Sequence, residues 1–88
     1  MSKRQLTQAE HLFRTLLKEL RQEKELTQRQ LAERLGLPQS YVSKYEAGER
    51  RLDFVETWSV CEALGISIED FAKDFSAELS KTGRNKRG

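Results

Sequence analysis

Apolar residues recur three and four positions apart along most of this chain, a spacing that predicts amphipathic helices rather than strands. The first such segment covers about residues 8–24, where the apolar positions would form one continuous stripe on a helix. No segment alternates between apolar and polar residues as a half-buried strand does, and the sequence contains no internal repeat. The pattern therefore predicts an all-helical domain. The stripe of the first helix consists of Ala9, Phe13, Leu16, Leu17 and Leu20.

Polar residues placed three positions apart mark where helices begin. A Thr, Ser or Asp can accept a hydrogen bond from a free helical N–H, and a Glu or Gln three residues later can reach back to the cap. Each such pair precedes an apolar periodic segment, and together with a turn before the third helix they predict five helices. The pairs are Thr7 with Glu10, Thr27 with Gln30, Asp53 with Glu56, and Ser67 with Asp70.

Glycine and proline mark the other boundaries. Gly36, Gly48 and Gly65 each follow an apolar segment, and glycine readily takes the left-handed conformation that ends a helix. Pro38 fits the first turn of the third helix, because a missing N–H costs nothing there. The run Gly36-Leu37-Pro38 therefore predicts a tight turn between the second and third helices.

The same pattern predicts which residues face the core and where the domain ends. We expect one domain over residues 1–75. Residues 76–88 have almost no apolar periodicity and end in a basic run, so they are predicted to form a disordered tail. The expected inner positions are Leu31, Ala32 and Leu35 in the second helix, Phe54, Trp58, Cys61 and Leu64 in the fourth, and Ile68, Phe71, Ala72 and Phe75 in the fifth.

The composition agrees with a small helical domain. The chain has 88 residues, of which 36% are hydrophobic, and it contains only one Pro and five Gly. Leu, Glu, Gln, Arg and Lys, which are all good helix formers, are abundant. A chain of this length builds a single modest core.

The net charge of +2 conceals an uneven distribution. Residues 1–51 hold 11 Lys and Arg against 7 Asp and Glu, residues 52–75 hold 1 against 6, and residues 76–88 hold 4 against 1. The basic first part would approach a polyanion such as DNA, with the acidic segment pointing away. Small domains also show such swings by chance, so the charge distribution alone does not decide the function.

Several classes of protein find no support in the sequence. Cys61 is the single cysteine and cannot form an internal disulfide, so nothing indicates secretion. No apolar run is long enough for a membrane span and the start shows no signal-peptide pattern, so a cytoplasmic protein is expected. There is no Ser–His–Asp set and no glycine-rich phosphate loop, and His11 has no neighbours at metal-binding spacing. We expect no enzymatic activity, no cofactor and no metal.

The third predicted helix has an unusual outward face. Its apolar side would face the core, and compact hydrogen-bonding side chains would face outward. The major groove of DNA admits a helix and displays donors and acceptors that Gln, Ser and Lys can read. Taken alone, such a face is also compatible with an ordinary solvated surface. Gln39, Ser40, Ser43 and Lys44 fall on the outward side, and Val42 and Tyr45 fall on the inward side.

Residues from about 12 to 71 resemble the Cro/repressor-type helix-turn-helix domain of phage repressors and many small bacterial regulators. The resemblance is carried by the segments LLKELRQEKELTQ, TQRQLAERLGL, PQSYVSKYEAGERR and DFVETWSVCEALGISIEDF. It implies an all-α, five-helix lambda-repressor-like fold, with the helix-turn-helix formed by helices 2 and 3. It also implies that the third helix reads the major groove and that dimers bind near-palindromic sites.

The resemblance implies roles for individual residues outside the third helix. Gln28, at the start of the second helix, matches a position that bonds a phosphate, where free N–H groups and the helix dipole favour an anion. The alternative is that Gln28 only supports the cap of its own helix. Arg50 and Arg51 lie in the loop after the third helix, where the family often touches phosphates, unless they are free surface charges. Arg21 and Glu46 match a pair that ties the first helix to the end of the third.

Five positions of the third helix are implied to face the DNA. Gln39, Ser40 and Lys44 match positions that reach base edges, because Gln can pair with adenine and Lys can donate to guanine. Ser43 and Tyr41 match positions that contact either the backbone or the bases. For Tyr41 the alternative is partial burial against the second helix.

The implied function is that of a transcriptional regulator, a repressor that binds double-stranded DNA as a homodimer. One domain of this size makes few base contacts, each worth about 1–3 kcal/mol, so a second copy would add specificity. The expected dimer surface is the fifth helix, through Ile68, Phe71 and Phe75, unless all three pack inward and the free chain is monomeric. The second hypothesis is a protein-interaction module or antitoxin subunit whose main partner is another protein. The polar third helix favours DNA, since protein-binding helices carry exposed Leu, Met or aromatic anchors.

Overall fold

The structure, a computed structural model, describes the backbone of residues 3–87 and the side chains of residues 6–81. Over this part of the chain it contains five helices and no strand, which confirms the predicted all-helical fold. None of these helices has the apolar length that a bilayer crossing requires. The helices are α1 (Lys3–Glu23), α2 (Gln28–Leu35), α3 (Gln39–Ala47), α4 (Phe54–Leu64) and α5 (Ile68–Arg87).

Reciprocal caps fix the starts of α2 and α4, as the sequence predicted. Thr27 accepts from the backbone N–H of Gln30 at 3.0 Å, and the Gln30 side chain accepts from the Thr27 N–H at 2.9 Å. Asp53 and Glu56 form the same arrangement, at 2.7 and 2.9 Å. Each box satisfies two N–H groups that a helix start would otherwise leave free.

The turn between α2 and α3 depends on a glycine. Gly36 has φ +71°, a left-handed conformation, and its N–H donates to carbonyl oxygens of the last turn of α2. Pro38, with φ −64° and ψ 152°, is the residue immediately before α3. It therefore precedes the first turn of α3, whereas the sequence predicted it within that turn. The turn at Gly36 packs α2 against α3 and produces the helix-turn-helix unit.

The core draws on all five helices. The helices α1 and α5 pack together, α3 lies against α1 and α2, and α4 lies against α2 and α5. Side chains from every helix are removed from water at the centre, and this burial is the main source of the fold's stability. The buried apolar residues are Leu17, Leu31, Ala32, Val42, Tyr45, Val60, Cys61, Leu64 and Phe71.

Two helix boundaries differ from the sequence prediction. Helix α1 begins at Lys3, so Thr7 lies inside the helix and does not cap it, because the residues before Thr7 are themselves good helix formers. Helix α5 starts as predicted, with the Ser67 hydroxyl accepting from the Asp70 N–H at 3.0 Å. It then continues through residues 76–87 to Arg87, and the disorder expected for this tail stays a prediction. Dividing the chain after residue 75 stays a prediction.

The inner face of α4 also differs from the prediction. Phe54 and Trp58 were expected to face the core, but they are 72% and 47% exposed. Thr57 and Val60 take the inner face instead, at 5% and 0% exposure. Thr57 can be buried because its hydroxyl donates to the carbonyl oxygen of Asp53 at 2.7 Å, which satisfies the polar group.

Candidate nucleic-acid interface

Helix α3 presents two different sides, as the sequence predicted. Val42 and Tyr45 are buried beneath it. On the other side Gln39, Ser40 and Lys44 are exposed, while Ser43 is half-buried and its hydroxyl donates to the Ser40 carbonyl oxygen at 3.2 Å. Their contact with DNA stays a prediction, but nothing in the described part of the chain covers the three exposed side chains.

A buried ion pair ties α3 to α1. Arg21 donates from Nε and Nη2 to the two carboxylate oxygens of Glu46, at 2.7 and 3.0 Å. Its Nη1 donates to the carbonyl oxygen of Leu26 at 2.7 Å, just before α2. Arg21 is only 8% exposed and all three guanidinium nitrogens are engaged, so we assign it to orienting α3 rather than to contacting a phosphate.

Gln28 joins this pair instead of standing free. Its Nε2 donates to Oε1 of Glu46 at 2.9 Å, and the side chain is half-buried. One carboxylate therefore receives hydrogen bonds from α1 and from α2 while belonging to α3. The sequence placed Gln28 at the start of α2 but gave no sign of this contact, because the two residues are 18 positions apart.

Arg50 is held in place after α3 by a residue that the sequence interpretation missed. Its Nη1 and Nη2 donate to the two carboxylate oxygens of Glu56, at 3.3 and 2.8 Å. Nη1 also donates to the carbonyl oxygen of Arg51 at 3.0 Å. The hydrogen bond from Arg50, followed by the backbone N–H of Asp53, lowers the pKa of the Glu56 carboxyl. The sequence showed Glu56 only as a helix cap, which concealed this second contact.

The Tyr41 ring packs against the Arg50 guanidinium. The Arg50 guanidinium carbon lies 4.6 Å from the centre of the Tyr41 ring, a cation–π contact. The ring itself packs edge-to-face on Tyr45, with 6.0 Å between ring centres. Burial, and then the charge of Glu56, raise the pKa of Tyr41. Tyr41 is therefore half-buried, with Arg50 over one face of its ring, and its contact with DNA stays a prediction.

Two further arginines lie at the same end of α3. Arg51 is highly exposed and forms an ion pair with Glu10 at 2.8 Å. Arg14, which the sequence interpretation did not single out, covers Gly48 so closely that a Cβ there would lie 3.0 Å from its guanidinium carbon. Arg14, Arg50 and Arg51 line one pocket of about 130 Å³ beside the loop. This concentration of guanidinium groups is suited to phosphate oxygens.

Metal chemistry has no obvious site in this part of the molecule. Among the side chains that the structure describes, no three His, Cys, Asp or Glu residues are grouped so that they could hold an ion. The arrangement around α3 offers hydrogen-bond donors, acceptors and fixed positive charges, which are the groups that recognise a nucleic acid duplex.

Comparison with known families identifies the domain. The family model for helix-turn-helix domains matches residues 17–71, which is more than half of the chain. The chain belongs to the Cro/repressor-type helix-turn-helix family. The match contains the helix-turn-helix unit and the residues predicted to bind DNA. It confirms the resemblance that the sequence carries, and this family consists of DNA-binding regulators rather than enzymes.

One relative and two solved structures are similar to this chain, in agreement with the family assignment. The HTH-type transcriptional regulator YqaE of Bacillus subtilis is 31% identical over 67 residues, which cover 76% of this chain but only 58% of that relative. An XRE-family like protein from Pseudomonas syringae has a TM-score of 0.78 at 38% identity, covering 82% of this chain and 88% of that one. The restriction-modification controller protein C.Esp1396I has a TM-score of 0.77 at 26% identity, covering 83% and 95%.

Proposed function

We propose that this helix-turn-helix protein is a sequence-specific transcriptional repressor that inserts α3 into the major groove of double-stranded DNA. The observation that carries this function is the outward side of α3, where Gln39, Ser40 and Lys44 are exposed above a buried apolar side. Their side chains make no hydrogen bond or ion pair within the described part of the chain. They are therefore available to base edges without first breaking an internal contact.

The three side chains suit different base edges. Gln39 carries a donor and an acceptor that match N7 and N6 of adenine, and Lys44 can donate to O6 or N7 of guanine. Ser40 can serve as donor or acceptor. Each good pairing contributes about 1–3 kcal/mol of discrimination between bases. One α3 would thus read a short half-site.

Contacts to phosphates would set the register of α3 on the duplex. The free N–H groups at the start of α2 lie next to Gln28, and an oxyanion is well accommodated there. Arg50 and Arg51 would contact a second phosphate from the loop after α3. These contacts carry no sequence information, but they fix the orientation in which the bases are read.

We further propose that the DNA-bound form is a homodimer whose interface is centred on α4 and the groove beside it, rather than on α5 alone. Phe71 is only 4% exposed and packs edge-to-face on Phe13, with 5.7 Å between ring centres, so the interior uses it. Three apolar residues of α4 are instead exposed, namely Phe54, Val55 and Trp58, which we call the α4 patch; elsewhere Leu6 and Leu37 are exposed too. Such a patch is unusual on a surface that meets only water.

The α4 patch borders a groove of about 410 Å³. A two-fold interface brings the same surface of each copy together, so protruding side chains and a groove on one surface suit it. Two copies related in this way would present two α3 helices to half-sites about one helical turn apart. The groove is lined mainly by apolar residues, among them Phe13, Leu52, Ile68, Phe71 and Phe75.

A second candidate function rests on the same α4 patch. If the patch binds a different protein, the chain would act as a protein-interaction module or as an antitoxin subunit. Sedimentation of the purified chain separates the two possibilities. Dimerisation that Phe54→Glu abolishes supports the homodimer, whereas Ser76→Glu, which adds the same charge to the exposed face of α5, should leave the dimer intact. A monomer at all concentrations, still competent to bind DNA, would favour the second function.

The DNA-binding function is tested by selecting duplexes from fragmented genomic DNA and measuring affinity for the selected site at several salt concentrations. Affinity should fall steeply with salt, since bound phosphates displace counterions. Lys44→Ala should change which bases are preferred at one position, while Lys73→Ala, which removes the same charge from α5, should not. Failure to enrich any sequence, together with salt-independent binding, would contradict the function.

A further inference from the structure

We propose that Glu56 is a positioning residue for DNA binding, which holds the Arg50 guanidinium on the Tyr41 ring so that one edge of it stays free for a backbone phosphate. This role depends on the proposed binding of DNA. In this role an acidic side chain assists the binding of an anion, which net charge alone would not suggest.

The hydrogen bonds of Arg50 leave one particular edge unoccupied. A guanidinium has five N–H groups, and Glu56 takes the pair at the tip, one from Nη1 and one from Nη2. The second N–H of Nη1 donates to the carbonyl oxygen of Arg51. The N–H of Nε and the second N–H of Nη2 have no partner among the described residues, and they lie side by side. Two adjacent N–H groups match two oxygens of a phosphate.

The Arg50 guanidinium rests on aromatic packing that reaches the core. Arg50 lies 4.6 Å above the centre of the Tyr41 ring, and that ring packs on Tyr45, which is 2% exposed. The contact with the ring keeps the guanidinium close to Tyr41 but does not by itself set the direction of its N–H groups. The two hydrogen bonds that Arg50 donates to Glu56 supply this direction, so the free edge is oriented before DNA arrives.

Glu56 is itself anchored. Its Oε1 accepts from the backbone N–H of Asp53 at 2.9 Å, and the Asp53 side chain accepts from the Glu56 N–H at 2.7 Å. The carboxylate therefore has a fixed position relative to the start of α4. Because the phosphate would use a different edge of Arg50 from the one that Glu56 uses, both anions can be bound at once.

The test compares Glu56→Gln with wild-type protein on the selected duplex, over a series of salt concentrations. Gln retains an oxygen for the Asp53 N–H but loses the charge and the paired contact with Arg50. We expect weaker binding and a slope of log affinity against log salt that is smaller by about one, the loss of about one phosphate contact. Glu62→Gln removes the same charge from an exposed position of α4 and should leave the slope unchanged. Circular dichroism establishes that both variants fold.

The Arg50→Ala background decides whether Glu56 acts through Arg50. In that background Glu56→Gln should change neither affinity nor slope further, and this result supports the positioning role. Tighter binding by Glu56→Gln with an unchanged slope would overturn it, since Glu56 would then merely repel DNA. An equal loss with and without Arg50 would also overturn it, because the cap alone would explain the effect. If wild-type protein binds no duplex in a salt-dependent manner, the proposed function fails first and the positioning role with it.

Discussion

The Arg21–Glu46 and Arg50–Glu56 ion pairs both lie near the C-terminal end of α3, and they have almost the same shortest N–O distance but different surroundings. The inner pair, Arg21 with Glu46, has a shortest distance of 2.7 Å and side chains that are 10% and 4% exposed. The outer pair, Arg50 with Glu56, has a shortest distance of 2.8 Å and side chains that are 38% and 29% exposed. Distance therefore does not separate them, whereas access to water does.

The difference assigns the pairs to different tasks. In the inner pair every guanidinium nitrogen has a partner inside the protein, so the pair can only hold α1, α2 and α3 together. In the outer pair water screens the attraction and one edge of Arg50 is free, so its contribution to stability is small and it is available for binding. The inner pair thus orients α3, and the outer pair is the one assigned to the proposed contact with DNA.

Breaking the inner pair should have the largest effect. Glu46→Ala leaves the Arg21 charge buried without a partner and should lower the free energy of unfolding by about 3–5 kcal/mol. Glu49→Ala, which removes an exposed carboxylate next to the end of α3, should change it by less than about 0.5 kcal/mol. Urea denaturation of both variants measures the difference. Similar values for the two would show that burial does not distinguish the pairs.

Removing Gln28, which donates a hydrogen bond to Glu46 of the inner pair, should have a moderate effect on stability. Gln28→Ala deletes one hydrogen bond to Glu46 and should lower the free energy of unfolding by about 0.5–1.5 kcal/mol. Gln22→Ala, at an exposed position of α1, is the matched control and should be close to neutral. Urea denaturation again gives the values. A neutral Gln28→Ala variant would remove Gln28 from the stabilising network and leave DNA contact as its only role.

The outer pair should affect binding rather than folding. Arg50→Ala should leave the thermal unfolding midpoint close to that of wild type, while lowering DNA affinity across all sequences by a similar factor. The slope of log affinity against log salt should fall by about one. A thermal melt and a salt titration on the same sample separate the two effects. A loss of stability as large as that of Glu46→Ala would contradict the proposed division between the pairs.

The smallest expected effect is on the pH dependence of stability. Because the folded state lowers the pKa of Glu56, the carboxylate stabilises the fold above its ordinary pKa of 4.5, and this stabilisation is lost as pH falls through the lowered value. The difference in unfolding midpoint between wild type and Glu56→Gln should therefore be present at neutral pH and shrink under acid conditions. Thermal melts over a pH series measure it. A difference that grows on acidification would have the wrong sign.

The sequence predicted the helix-turn-helix because its signals are local. The caps at Thr27 and Asp53 and the left-handed turn at Gly36 act over three or four residues, and each is visible without knowing the fold. The sides of α3 could be assigned for the same reason, since Val42 and Tyr45 fix its inward direction. The first residue of α1 and the last residue of α5 were harder to predict, because helix-forming residues continue a helix beyond its apolar stripe.

The contacts that define the two ion pairs were only partly predictable. The inner pair came from family resemblance, and its link to Gln28 spans 18 positions that local spacing cannot connect. The outer pair was hidden because Glu56 already had a sufficient local role as a cap. The inner side of α4 was predicted wrongly because the apolar pattern favours Phe54 and Trp58 as its buried residues. In the structure the Thr57 hydroxyl donates to Asp53, so Thr57 can be buried and Phe54 and Trp58 face outward.

The outward position of Trp58 gives the protein an intrinsic optical probe. It is the single tryptophan of the chain and is 47% exposed, so its emission is sensitive to whatever approaches the α4 patch. Covering the indole with an apolar surface would shift that emission to shorter wavelengths, whereas DNA bound at α3 alone would leave it nearly unchanged. Unlabelled protein can thus distinguish association of two chains from docking on a duplex in a single cuvette.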